Sequence, residues 1–193
     1  WLEFRRVLFR SVGASIGPFT FSILDKNPSK VFCVEPSELE LETLNKNINS
    51  KNVKIITKAI SSNNGPVILD EVFGQNGKPI ELDGITFKDL IKNEGITQID
   101  FLKTDCEGGE YNIFNLENIW WIKNNVKKIA GEWHLHLGNN NLTNKFREFR
   151  DIYLKLFPNH EVYSVDGVNI KWDLWNEHFI EYYKHILIYI DNR

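Results

Sequence analysis

Two short stretches hold most of the side chains suited to moving a proton. Lys103, Asp105, Glu107, Gly108 and Glu110 crowd together, and Glu132 and His134 follow later in the chain. A carboxylate or an imidazole within hydrogen-bond reach of an alcohol can take its proton during attack on carbon. His134 has the residue type whose ordinary pKa, about 6.5, suits such a base. Glu132 and His134 are two residues apart, so on a continuous strand both face one way. Asp105, Glu107, Glu132 and His134 are therefore the expected catalytic set. Glu110 is expected to start a helix, where negative charge is favourable. The four catalytic candidates also offer oxygens and one imidazole to a divalent ion that would acidify a hydroxyl. Nothing in their spacing demands an ion, and no metal is expected. His136, two residues past His134, reads as a loop residue.

A second constellation points to a nucleoside. Gly13-Ala14-Ser15-Ile16-Gly17 lies between the strand expected over Val7–Val12 and the helix expected over Phe19–Leu24. Small residues there let a ligand approach the backbone, and free amides at a helix start favour polar or negative groups. Glu35 ends the next strand, placed to accept hydrogen bonds from both ribose hydroxyls across the crevice shared by adjacent strand ends. The dinucleotide fingerprint G-x-G-x-x-G is broken at Ser15, and no phosphate-loop Gly-Lys-Ser/Thr is present. NAD and ATP are thus disfavoured against S-adenosylmethionine, which carries no phosphates.

The elements that must position these residues alternate. Strands are expected over Val31–Val34, Val53–Thr57, Ile99–Thr104 and Val126–Trp133. Ser37 with Glu40 forms a capping box ahead of the stripe Leu41, Leu44 and Ile48. Strand-like pieces at Val67–Leu69 and Ile80–Leu82 sit in a polar Gly/Asn-rich stretch. Thr86 and Asp89 cap a short helix ending near Gly95, and Cys106–Phe114 reads as a turn and helix. Thr143 is the expected N-cap of a helix with Phe146, Phe149, Tyr153 and Leu156 on its buried stripe, stopped by Pro158. Val162–Val165 and His185–Ile190 read as an antiparallel pair. Alternating strands and helices imply an α/β, doubly wound, Rossmann-like, mostly parallel sheet of seven strands. Arg10 and Ser11 fit badly in a central strand covered on both faces, so the first strand is expected to be atypical or truncated.

Composition sets outer limits. The chain has 193 residues, 42% hydrophobic and 25% charged, which suits one globular domain over 1–193. The formal net charge of -3 gives no hint of a nucleic-acid partner. Cys33 and Cys106 make neither a disulfide framework nor a zinc cluster and read as buried reduced thiols. No membrane span or signal peptide is visible, and a cytoplasmic location is expected. Methionine is absent from the sequence, so residues 1–11 are read as an atypical leader or a partial first strand.

Four runs carry a resemblance to a known family. VGASIGPFT, VFCVEPS, IDFLKTDCEGGE and GEWH resemble successive motifs of the FkbM-like S-adenosylmethionine-dependent methyltransferases, over roughly Val12 to His136. The resemblance implies the class I methyltransferase fold with strand order 3-2-1-4-5-7-6. It implies that Gly13, Ala14 and Gly17 line the methionine and ribose side of S-adenosyl-L-methionine. Glu35 would bind the ribose, Pro36 would shape the loop beside the adenine, and Ala59 would lie near that base. The family usually has an acid where this chain has Ser11. The implied activity is O-methylation of a sugar or other small-molecule hydroxyl, with a small-molecule or glycan partner. N-methylation by the same fold and a non-catalytic nucleoside- or partner-binding domain remain alternatives at this stage.

Overall fold

A computed structural model describes residues 8–69, 79–135 and 140–193. Its elements follow the chain as β1 (Leu8–Val12), α1 (Pro18–Leu24), β2 (Lys30–Val34), α2 (Glu38–Asn47) and β3 (Val53–Ile56). Next come β4 (Ala59–Ile60), β5 (Gly65–Leu69), β6 (Ile80–Ile85), α3 (Phe87–Asn93) and β7 (Ile99–Thr104). The last part holds α4 (Glu110–Ile113), α5 (Ile119–Asn125), β8 (Val126–His134), α6 (Asn140–Glu148), β9 (His160–Tyr163), α7 (Glu177–Tyr182) and β10 (His185–Asp191). Seven strands form one sheet in the order β3-β2-β1-β7-β8-β10-β9. The β1–β2, β1–β7, β2–β3 and β7–β8 pairs are parallel, whereas β10 runs antiparallel to both β8 and β9. This is the class I methyltransferase topology.

Both faces of the sheet are covered, so the apolar residues of one strand are divided between two cores. On β2, Phe32 and Val34 join the larger core, while Val31 and Cys33 pack with Leu41, Leu44 and Ile48 of α2 on the other face. The Ser37 side chain caps α2 by accepting from the Glu40 amide, and Thr86 does the same for α3 through Asp89. The strand-like pieces of the polar stretch pair as β5 and β6, with Val67 opposite Leu82. They form a three-stranded accessory sheet in the order β4-β6-β5.

Three expectations change. The helix read from Thr143 begins at Asn140, and the Thr143 hydroxyl instead donates to the Leu135 carbonyl at 3.1 Å, tying α6 to the end of β8. Its winding loosens to a π-turn over Phe149–Tyr153 and tightens to 3-10 over Leu154–Leu156, while Phe146, Phe149 and Tyr153 stay buried as expected. Cys33 is buried but Cys106 is only half-buried, and both are free thiols. Val7 and His136 lie outside the described residues.

β1 does not fray. It is hydrogen-bonded on both sides, in the centre of the sheet, and it carries Arg10 into the core. The Arg10 side chain is fully buried, and among the described residues its three guanidinium nitrogens have no hydrogen-bond partner. Its contacts are the ring faces of Phe32 at 5.1 Å and Phe87 at 6.0 Å. Burial lowers its pKa to about 9, against a small opposing pull from Glu94. Ser11, on the next position, is also buried, with no hydroxyl partner among the described residues.

Candidate functional site

The Gly13–Gly17 turn carries the chain from β1 into α1. Gly13, Ser15 and Gly17 all have positive φ, at 69°, 48° and 91°. A Cβ on Gly13 would stand 1.5 Å from the Asp105 carbonyl oxygen, so the turn is pressed against the chain leaving β7. A Cβ on Gly17 would meet Leu44 of α2 at 2.7 Å, so this glycine serves helix packing. The Gly13 and Ala14 amides donate to the Val34 carbonyl, and the Gly17 amide donates to Ala14. The Ser15 amide donates to Glu35 at 2.8 Å. These four donors are therefore spent inside the protein, contrary to the expectation of free amides. The turn offers close approach rather than a phosphate cradle, which suits a nucleoside lacking phosphates.

Glu35 joins this turn to the loop after β2. One carboxylate oxygen accepts from Ser15 and the other from the Ser37 amide at 2.9 Å. Each oxygen keeps a lone pair for a further donor, such as a ribose hydroxyl. Burial raises the Glu35 pKa, and the two backbone donors oppose that rise. The Glu35 amide donates to Ile56, which places this acid beside the end of β3. Pro36 is half-buried next to it. Ala59 is buried in β4, paired with Gly84. The Gly13–Gly17 turn and Glu35 thus meet at the carboxyl ends of β1 and β2.

The acidic residues meet one strand further along. Lys103 donates to the Gly13 carbonyl at 2.6 Å and lies 3.3 Å from Asp105, which links the glycine turn to the acidic loop. Glu107 is in the left-handed region with φ 50°, within a tight turn that aims its side chain at His134. β8 continues to His134, so Glu132 and His134 share a face as the spacing requires. Nε2 of His134 is 3.2 Å from Glu107 and 3.6 Å from Glu132, and Nδ1 is 3.2 Å from Glu110.

Two residues gain roles that the sequence did not disclose. Glu110 is fully buried, accepting from the Cys106 amide at 2.7 Å and the Gly108 amide at 2.9 Å while facing His134. It starts α4 as expected, yet its carboxylate turns back to hold the loop. His185 is brought in by the antiparallel register, which sets it opposite His134, and its Nδ1 lies 3.0 Å from Glu132. The Glu–x–His spacing on β8 was visible, but its partner strand begins 51 residues beyond His134.

Electrostatics separates the roles of these groups. His134 is buried, and burial alone would lower its pKa. The hydrogen bonds and charges of Glu107 and Glu110 outweigh that and raise it to about 10. With a carboxylate at each ring nitrogen, His134 is an imidazolium at neutral pH and has no free nitrogen to act as a base. His134 in turn lowers the pKa of Glu107. The Glu132 pKa is raised by burial and then by the neighbouring Asp105 charge.

The methyltransferase FkbM domain matches residues 11–164. The chain belongs to this family. It is an S-adenosylmethionine-dependent methyltransferase. No curated protein matches the sequence. Among solved structures, the chain is similar to SMU.1697c of Streptococcus mutans, named as a methyltransferase and solved with SAH. The TM-score is 0.57 at 12% identity, covering 97% of this chain and 89% of that one. An rRNA methylase of Streptococcus thermophilus gives 0.55 at 11% identity, covering 98% and 88%. Precorrin 8W decarboxylase of Methanobacterium thermoautotrophicum gives 0.51 at 16%, covering 96% and 82%. At these identities the likeness shows the fold. Among the described residues, no helix is long and apolar enough to cross a membrane.

Proposed function

We infer that this methyltransferase acts on a hydroxyl of a sugar or another small molecule. The observation that carries this reading is the junction at Gly13, where the glycine turn abuts the Asp105 backbone and Lys103 bridges the two. An acceptor held by the acidic loop would therefore stand beside the donor turn. S-adenosylmethionine, when bound, supplies a methyl group on a positively charged sulfur. The chain's task is to align an acceptor oxygen with it and to receive a proton.

Asp105 and Glu132 are the carboxylates suited to that proton. Burial, and then the neighbouring Asp105 charge, raise the Glu132 pKa, which favours proton uptake there. His134, Glu107 and Glu110 form the scaffold beneath them, and His134 serves as a positioning residue. Tyr111 adds to this scaffold by donating to the His134 carbonyl at 2.7 Å. Three carboxylates around the mouth and a net charge of -3 disfavour a phosphate backbone as substrate.

Two measurements test the reading. Calorimetric titration with S-adenosylhomocysteine should show binding, and Glu35→Ala should weaken it by about tenfold or more, since hydrogen bonds to a charged group contribute ~1.5–3 kcal/mol each. Unchanged affinity would misplace the ribose. In a screen of sugars and polyols followed by S-adenosylhomocysteine release, a double Asp105→Asn, Glu132→Gln variant should bind cofactor and lose ~10²–10⁴-fold in turnover. Near-normal turnover would remove both from the chemistry, and turnover only with amines would favour N-methylation.

A further inference from the structure

Five potential ligands converge where β7 and β8 end and β10 begins. Ligand atoms of Glu132, His134 and His185 lie within 4.8 Å of one another, and so do those of Asp105, Glu107 and His134. Four carboxylates (Asp105, Glu107, Glu110 and Glu132) gather around one imidazolium and Lys103, an excess of negative charge. That excess alone would be an ordinary acidic cluster. The arrangement behind His134 sets it apart.

A histidine that ligates a metal through one nitrogen commonly donates its other ring N–H to a carboxylate, which fixes the ring and raises its basicity. Glu110 occupies that place behind His134. It is fully buried, locked by the Cys106 and Gly108 amides, and 3.2 Å from Nδ1. Nε2 is thereby aimed at Glu107 and Glu132. The second imidazole arrives independently, on another strand, through the β8–β10 register. The two rings stand nearly perpendicular, at 86° with centroids 5.8 Å apart, and Nδ1 of His185 meets Glu132 at 3.0 Å.

We propose that Glu132, His134 and His185 form the core of a binding site for a first-row divalent cation, completed by Glu107. Two imidazoles with carboxylates suit Mn²⁺ or its neighbours better than Mg²⁺, which prefers oxygen ligands alone. Binding replaces the proton on Nε2 of His134 by the ion. Glu107 is exposed, and its carboxylate already stands 3.2 Å from Nε2 of His134. The inference rests on the hydroxyl-methylation reading for its purpose: an ion at this point would hold two neighbouring oxygens of a sugar or polyol and acidify one of them. Asp105, outside the core triad, is then the carboxylate left to receive the proton.

The test is binding, independent of turnover. Protein stripped with EDTA is titrated with Mn²⁺, and free Mn²⁺ is read by electron paramagnetic resonance. One Mn²⁺ per chain is expected. His185→Ala and Glu132→Gln should each weaken it at least tenfold, while Glu42→Gln, on the exposed face of α2, leaves it unchanged. S-adenosylhomocysteine titration of the same variants establishes that they are folded. Absence of saturable Mn²⁺ binding, or binding indifferent to His185→Ala and Glu132→Gln, overturns the site. Mn²⁺ binding without S-adenosylhomocysteine binding would sustain the site and defeat the cofactor placement, so the two failures are distinct.

Discussion

Replacing Arg10 should make the protein more stable. A buried, unpaired cation pays desolvation with little return, and this one has three orphaned nitrogens inside a central strand. Holding an arginine at a pKa of about 9 costs about 5 kcal/mol relative to its ordinary value, at ~1.4 kcal/mol per tenfold. Arg10→Leu removes that cost but leaves unfilled volume between Phe32 and Phe87, and such cavities cost on the order of 1–2 kcal/mol. A net gain of about 3 kcal/mol follows, worth roughly 6–12 °C in Tm for a chain of this size. The pH dependence identifies the cause. The folded-state pKa is depressed for a base, so above about 9 the native protein releases the proton while the unfolded chain retains it. Stability of the parent protein therefore gains with rising pH from this group. The advantage of Arg10→Leu should shrink by about 2 kcal/mol between pH 7 and pH 10.5. Urea unfolding of both proteins at the two pH values measures it. A variant less stable than the parent at pH 7, or an advantage that does not shrink, would refute the claim that the unpaired charge is the liability. Arg150 is the contrast: it is paired with Asp151, Glu177 and the Leu174 carbonyl, so Arg150→Leu should destabilise.

Other outcomes follow from the site. Gly13→Ala should abolish S-adenosylhomocysteine binding or folding, because its Cβ would overlap the Asp105 carbonyl; calorimetry and circular dichroism distinguish the two. Without added metal, the His134 ring should stay protonated to about pH 9 by NMR. Its pKa is raised on folding, so its stabilising contribution is complete below about pH 6.5 and fades as pH climbs through about 10. Glu110→Gln should bring that titration down by a unit or more while lowering stability, since it removes a carboxylate from a buried charged ring.

Legibility in the sequence followed the range of the interactions involved. β7 and β8 stood out because apolar and β-branched residues recur within a few positions (Ile99, Phe101 and Leu102; Val126, Ile129 and Ala130), and Ser37 and Thr86 because a cap is a contact over three residues. The short α5 (Ile119–Asn125) was not anticipated, since four turns of periodicity are what make a helix visible and it has about two. The π-turn at Phe149–Tyr153 was equally hidden, because the same apolar spacing satisfies either winding. At the site, the candidates were found by type and spacing, but their charge states were not. His134 reads as an ordinary base until the fold sets Glu107 against one nitrogen and Glu110 against the other. Glu110 reads as a helix-start acid until its carboxylate is seen turned back on the Cys106 and Gly108 amides. His185 carried no local signal at all, and only the antiparallel return of β10 sets it beside Glu132. The chemistry of this mouth is thus a property of strand register. A one-residue slip of β10 would turn His185 to the other face and leave His134 surrounded by carboxylates alone.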